Sequence, residues 1–133
     1  MMTIDEAVIA YCNTVDSVTA IVGNRIYGYR RPQGPRPLPE ILWTEITEQR
    51  QQKFCGQDLL VSSQWQVDVF GDGKTQVAQC ARALAKALRN FSGVMGDVPV
   101  GPVFLLNQSD SGDPEPGTIR KILTFNVWYQ EEA

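Results

Sequence analysis

The spacing of apolar residues divides the chain into a helical opening, a strand pair, a second helical stretch and a second strand pair. Ile4, Val8, Tyr11, Cys12 and Val15 recur at intervals of three and four, which sets them on one face of a helix. Thr3 and Glu6 fit a capping box, in which each side chain satisfies the other's orphan backbone N–H. Asp16 can cap a second short turn through "DSVTAIVG", and Gly23 suits the left-handed residue that ends it. Residues 3–22 therefore read as a small bent helical pair.

The period then changes to two. "EILWTEIT" (Glu40 to Thr47) has strand composition, and a polar insert, "EQRQQKFCGQD", follows it. Beyond the insert, Leu59, Val61, Trp65, Val67 and Val69 alternate with Leu60, Ser62, Gln64, Gln66 and Asp68. One apolar face at period two predicts an antiparallel strand that is wet on its other side. "GDG" (Gly71 to Gly73) breaks the strand and offers Asp72 as the N-cap of a main helix over 74–91. Val77, Cys80, Ala81, Leu84, Leu88 and Phe91 form its apolar stripe, and Gly93 is the expected stop.

A second hairpin closes the chain. "PVFLLN" (Pro102 to Asn107) leads through the turn-rich "QSDSGDPEPGT" into "IRKILTFNVWY" (Ile119 to Tyr129). In that last strand Ile119, Leu123, Phe125, Val127 and Tyr129 share one side, and Trp128 falls out of phase, toward the opposite face. The order helix, hairpin, helix, hairpin predicts an α+β fold. Its expected form is an antiparallel sheet of four or five strands, with two main helices packed on one face.

Composition adds bounds. At 133 residues, 43% hydrophobic and 20% charged, the chain has the size and make-up of one globular domain over 1–133. No apolar run reaches the roughly 20 residues that span a bilayer. "MMTIDEAVIAYC" has early acids and no basic n-region, so no signal peptide and no membrane partner are expected. Cys12, Cys55 and Cys80 are odd in number and far apart, and histidine is absent. A structural zinc site would lack its fourth ligand, and the commonest general base is missing.

The search for chemistry ends without a catalytic set. "FGDGKTQ" sits between strand and helix and carries Lys74 and Thr75, but lacks the spacing of a phosphate-binding P-loop. Asp110, Asp113 and Glu115 cluster without the register of a calcium loop. Cys55 has no activating neighbour in sequence. No enzyme activity, cofactor or metal is expected. Trp43 and Trp65 read as sheet packing, whereas Trp128 beside "NVWYQ" marks a candidate contact surface.

One stretch stands apart. "RIYGYRRPQGPRPLP" (Arg25 to Pro39) holds four of the chain's twelve cations and no acid, although the net charge is −3. Arg25, Arg30, Arg31 and Arg36 could belong to a solvated crossover, to a subunit or partner contact, or to a surface facing nucleic acid. The acidic total charge weighs against a dedicated nucleic-acid-binding module.

Taken in order, three motifs resemble a known family. The segment "IVGNRIYGYRRPQGPRPLPEILWTEI" is similar to the opening of small siphophage tail-terminator, or tail-completion, proteins. "WQVDVFGDGKTQVAQCARALAKAL" resembles their strand–turn–helix, and "IRKILTFNVWYQE" their terminal strand. The Arg–Pro density between Arg30 and Pro39 departs from the family's pattern, and the inserts at 49–58 and 108–118 fall where its members differ. The resemblance implies a structural virion protein of the tail or neck, assembled in the host bacterial cytoplasm. It implies a self-associating ring, expected as a hexamer, that caps the tail tube and stops its growth. The same ring would offer a face to the head-side connector or stopper, with DNA only as cargo in the lumen. A head-completion or stopper protein is the neighbouring alternative. On this reading Arg25, Arg30, Arg31, Arg36 and Trp128 are the candidate interface residues.

Overall fold

The computed structural model describes residues 3–30, 39–53, 56–111 and 118–130, with side chains for all of these except 49–53, 56–60 and 111. Two short helices open the chain, α1 (Ile4–Cys12) and α2 (Asp16–Val22). Strands β1 (Ile26–Gly28), β2 (Glu40–Lys53) and β3 (Gly56–Gly71) follow, then helix α3 (Lys74–Leu88). Strands β4 (Gly93–Met95), β5 (Val98–Ser111) and β6 (Ile119–Gln130) complete it. The bent helical pair is present as the spacing predicts. Its capping differs: Thr3 Oγ1 donates to Glu6 Oε1 at 2.8 Å instead of either side chain reaching the backbone. Val15 takes the N-cap position of α2, with Asp16 as the first helical residue. Gly23 ends α2 at φ +61°, a conformation that costs a side-chain-bearing residue energy.

The sheet is mixed and six-stranded, in the order β1-β2-β3-β6-β5-β4, and curves into a half-barrel with three helices. This corrects the expectation of four or five antiparallel strands and two helices. The added strands, β1 and β4, have three residues each, too few to carry a period. Strand β1 runs parallel to β2, pairing Ile26 with Ile41 and Gly28 with Trp43. The polar inserts also differ. Strand β2 continues to Lys53 and β5 to Ser111, because a ladder satisfies its own backbone groups whatever its side chains are.

Helix α3 buries Val77, Cys80, Ala81, Leu84, Ala85 and Leu88 against the sheet, which is the expected stripe one turn shorter. It stops before Gly93. Arg89 is already extended and Asn90 takes φ +65°, a region that asparagine tolerates. The N-cap is Gly73, and the Gln76 side chain accepts from the Asp72 backbone N–H at 2.9 Å. Leu84 is fully buried, so Leu84→Ala should lower stability by about 3 kcal/mol, read as a lower urea midpoint.

On the helix-bearing face, Ile41, Trp43, Val61, Trp65, Val67, Leu123 and Phe125 are almost completely buried. Trp43 and Trp65 meet edge to face at a centroid separation of 6.2 Å. The opposite face is less wet than alternation predicts: Glu40, Asp68 and Phe70 are buried there. Gln66 Nε2 donates to Asp68 Oδ1 at 3.0 Å, which helps to keep that carboxylate satisfied.

Candidate interaction surfaces

The two long outer strands are each covered over only three residues. Strand β1 pairs with β2 at Ile41–Trp43, and β4 pairs with β5 at Val98–Val100. Val103 bonds backward as well, accepting from Asn90 N–H at 2.8 Å and donating to Phe91 O at 3.2 Å. Past these points, β2 from Thr44 and β5 from Phe104 present outer edges that no described strand covers.

Each free edge carries a β-bulge. On β2 the register slips between Glu45 and Thr47, leaving Ile46 48% exposed; on β5 it slips between Leu105 and Asn107, leaving Leu106 55% exposed. The bulges flank one row of the sheet, Ile46 on its Gln64 side and Leu106 on its Thr124 side. Glu45 pairs with Trp65, Trp65 with Phe125, and Phe125 with Leu105. Glu45 and Leu105 therefore end the same row on opposite edges, and both lie on the helix-bearing face.

The edges differ in charge. Beside β2, the half-exposed ring of Tyr29 stands among carboxylates. Burial first, then the charges of Glu45, Asp5 and Glu48, push its phenol above the usual range. Beside β5, a groove of about 510 Å³ runs between α3 and the strand. Ala78, Ala81 and Ala85 line its helical side and Leu105 and Gln108 its strand side. Arg82, Lys86, Arg89 and Lys121 rim it. Lys121 is paired with Asp110 at 3.2 Å. The exposed side chains of Arg82, Lys86 and Arg89 have neither ion pair nor hydrogen bond among the described residues. Like charges at intervals of three and four repel along a helix, so this stripe weakens α3 slightly when it stands alone.

The arginines singled out by sequence fare differently. Arg25 is an internal tie: Nε donates to Pro39 O at 3.0 Å and Nη2 to Ile21 O at 3.4 Å, joining α2 to the start of β2. Arg30 is exposed. Arg31 and Arg36 lie outside the described residues, as do Cys55, Asp113 and Glu115. Trp128 is half-buried on the outer face, the side its phase indicates. Its Nε1 donates to Asn126 Oδ1 at 3.1 Å, in the amide orientation that also lets Asn126 donate to Ser62 Oγ and Ser63 O. The α3 cations are absent from the sequence-based candidates, yet a signal exists: no acid occurs between Asp72 and Asp97.

The described residues hold no cluster of three or more His, Cys, Asp or Glu side chains placed to bind a metal ion. No helix among them is long and apolar enough to cross a membrane. Burial pushes the thiols of Cys12 and Cys80 up to about 12, so neither is a ready nucleophile. Because the folded protein holds these protons more tightly than the unfolded chain, both groups stabilise it fully below pH 9.0. That contribution is lost as pH rises from 9.0 toward about 12. Alkaline unfolding followed by tryptophan fluorescence should accordingly be less steep in Cys12→Ala/Cys80→Ala.

Comparison with known proteins places this architecture. A chain of the virion of a native gene transfer agent particle matches it with a TM-score of 0.76 at 17% identity, covering 96% of this chain and 95% of that one. A second solved structure matches with a TM-score of 0.59 at 15% identity, covering 100% of this chain and 99% of that one. At such identities these similarities speak for the fold. No curated protein matches the sequence. The family model described as tail completion protein gp17 matches residues 6–130, nearly the whole chain, and this chain belongs to that family of structural phage tail proteins.

Proposed function

We propose that the protein, as one tail-terminator-like domain, forms a ring that caps the finished tail tube. There it stops the tube's polymerisation and presents a surface to the head-side connector. The observation that carries this reading is the family match across residues 6–130, the span that holds every described helix and strand but the first residues of α1. The free edges on both flanks of the sheet support it, since a protomer with two unlike edges can be joined to identical neighbours until a ring closes. The gene transfer agent likeness supports a place in a virion. The expected position is the tail or neck, after assembly in the bacterial cytoplasm. Six copies are the expected number. Tail tube protein and connector are the expected partners, and DNA passes through the lumen as cargo.

The test is to mix purified protein with uncapped tail tubes and view them by negative stain. One ring at a single tube end, with growth arrested, is the expected result. Protein that ignores tube ends and binds the portal side instead would make it a stopper. Arg30, Arg31 and Arg36 are proposed docking residues in this assembly, and Trp128 a second contact on the outer face. The triple variant to alanine should lose most tube-end binding while its melting temperature stays within a few degrees of wild type. A large drop in melting temperature would assign these arginines to folding.

A further inference from the structure

The chain carries two unlike free edges on one sheet, and their features match in level, face, direction and charge. Strands β2 and β6 run one way and β3 and β5 the other. A rotation about an axis parallel to the strands preserves those directions, so it brings β5 of one copy antiparallel to β2 of the next. The row from Glu45 through Trp65 and Phe125 to Leu105 then continues across the junction. It sets the exposed bulge residue Ile46 of one copy opposite the exposed Phe104 of its neighbour, and Leu106 opposite Thr44. Bulges normally discourage edge pairing, but these two fall on opposite sides of the shared row and so do not collide.

Face and charge agree with this placement. Glu45 pairs with Trp65 and Glu48 with Ser63, and both of those β3 residues are buried on the helix-bearing face. Leu105 and Gln108 occupy that same face, opposite Phe125 and Leu123, below the α3 cations. We propose that copies of this chain associate head to tail, with Tyr29, Glu45, Ile46 and Glu48 of one seated in the α3–β5 groove of the next against Arg82, Lys86 and Arg89.

This rests on the ring reading and names its subunit contact. The groove's volume of about 510 Å³ accommodates a tyrosine ring with neighbouring carboxylates, and its alanine-lined wall gives the ring apolar contact. Unpaired cations on one edge and a carboxylate cluster on the other favour only the head-to-tail arrangement. A symmetric junction would put cations against cations or acids against acids. Duplex DNA fits the groove poorly, because phosphates would leave that apolar wall uncovered.

A charge-swap experiment tests the contact. Arg82→Glu/Lys86→Glu and Glu45→Lys/Glu48→Lys are made separately, checked for fold by circular dichroism, and analysed by sedimentation alone and mixed. Each variant alone should self-associate about tenfold or more weakly than wild type. The equimolar mixture should recover, since every junction in an alternating ring then joins opposite charges. Should the second variant unfold, Glu48→Lys alone takes its place.

Wild type that assembles while both variants assemble equally well overturns the contact and leaves the ring reading standing. Wild type that neither self-associates at millimolar concentration nor forms rings at tube ends overturns both. If the variants weaken binding to a labelled DNA duplex but leave self-association intact, the stripe is a phosphate contact and the proposal fails.

Discussion

Trp65→Ala is expected to lower the unfolding free energy by about 3–5 kcal/mol, among the largest losses available to a single substitution in this chain. The side chain is 1% exposed at the centre of the sheet. It packs edge to face on Trp43 and against Tyr29, each at a centroid separation of 6.2 Å. Truncation would open a cavity that the surrounding β-ladders, hydrogen-bonded on both flanks, cannot collapse to fill. It also removes the 2.7 Å bond in which Trp65 Nε1 donates to Ser63 Oγ, leaving a buried hydroxyl with only a 3.4 Å bond to Val127 O. Trp65→Phe separates the two effects, because it keeps most of the volume and loses the donor. It should cost about 1–2 kcal/mol, the order of a lost buried hydrogen bond. Urea titration of both variants provides the check. Equal losses would mean that the hydrogen bond, and not the packing, dominates at this position.

Gly101→Ala should destabilise by about 3 kcal/mol from strain alone. Gly101 holds φ +136°, and an added Cβ would stand 2.6 Å from Ser92 Cα and 3.0 Å from Phe91 O. Both obstacles are backbone, so no side-chain rotation relieves them. The close approach ties the exit from α3 to the start of the free part of β5, where Val103 exchanges two hydrogen bonds with Asn90 and Phe91. Loosening it should therefore disturb the spacing between Arg89 and Leu105 across the groove as well as global stability. Hydrogen exchange at Phe91 and Val103 would report the local effect, and full protection there would contradict it.

Most of the long elements were legible because burial imposes a period. The α3 stripe from Val77 to Leu88 and the β3 alternation from Val61 to Val69 are each buried as read. What resisted reading has physical causes. Strands β1 and β4 owe their existence to partners distant in the chain, and three residues hold no pattern of their own. The arm of β2 beyond Glu48 is polar in sequence, so no alternation announced the strand that pairs there. Helix α3 ends at Leu88, and the turn that closes it comes at Asn90, with φ +65°, ahead of the expected stop at Gly93.

The interaction surfaces were less legible than the fold. Arg25 looked like part of a cationic loop, yet backbone carbonyls on both sides of the crossover claim its guanidinium. Arg82, Lys86 and Arg89 come to rim a groove only once β5 is set alongside α3. Glu45 and Leu105 are 60 positions apart, and only the completed register shows that they share a row. The acid-free run between Asp72 and Asp97 was visible without any structure and is the clue that sequence reading passed over.

The two long hairpins turn at opposite ends of the sheet. The β2–β3 turn follows Lys53, beyond the Leu60–Gln130 pair, whereas the β5–β6 connection follows Ser111, beyond the Gly71–Ile119 pair. A ring assembled about an axis along the strands consequently has two unlike rims, one bearing the β2–β3 turn and the other the β5–β6 connection. Such a ring has a top and a bottom. The orientation of the cap on its tube would thus be written into each subunit before assembly begins, with no further factor needed to tell the head-facing side from the other.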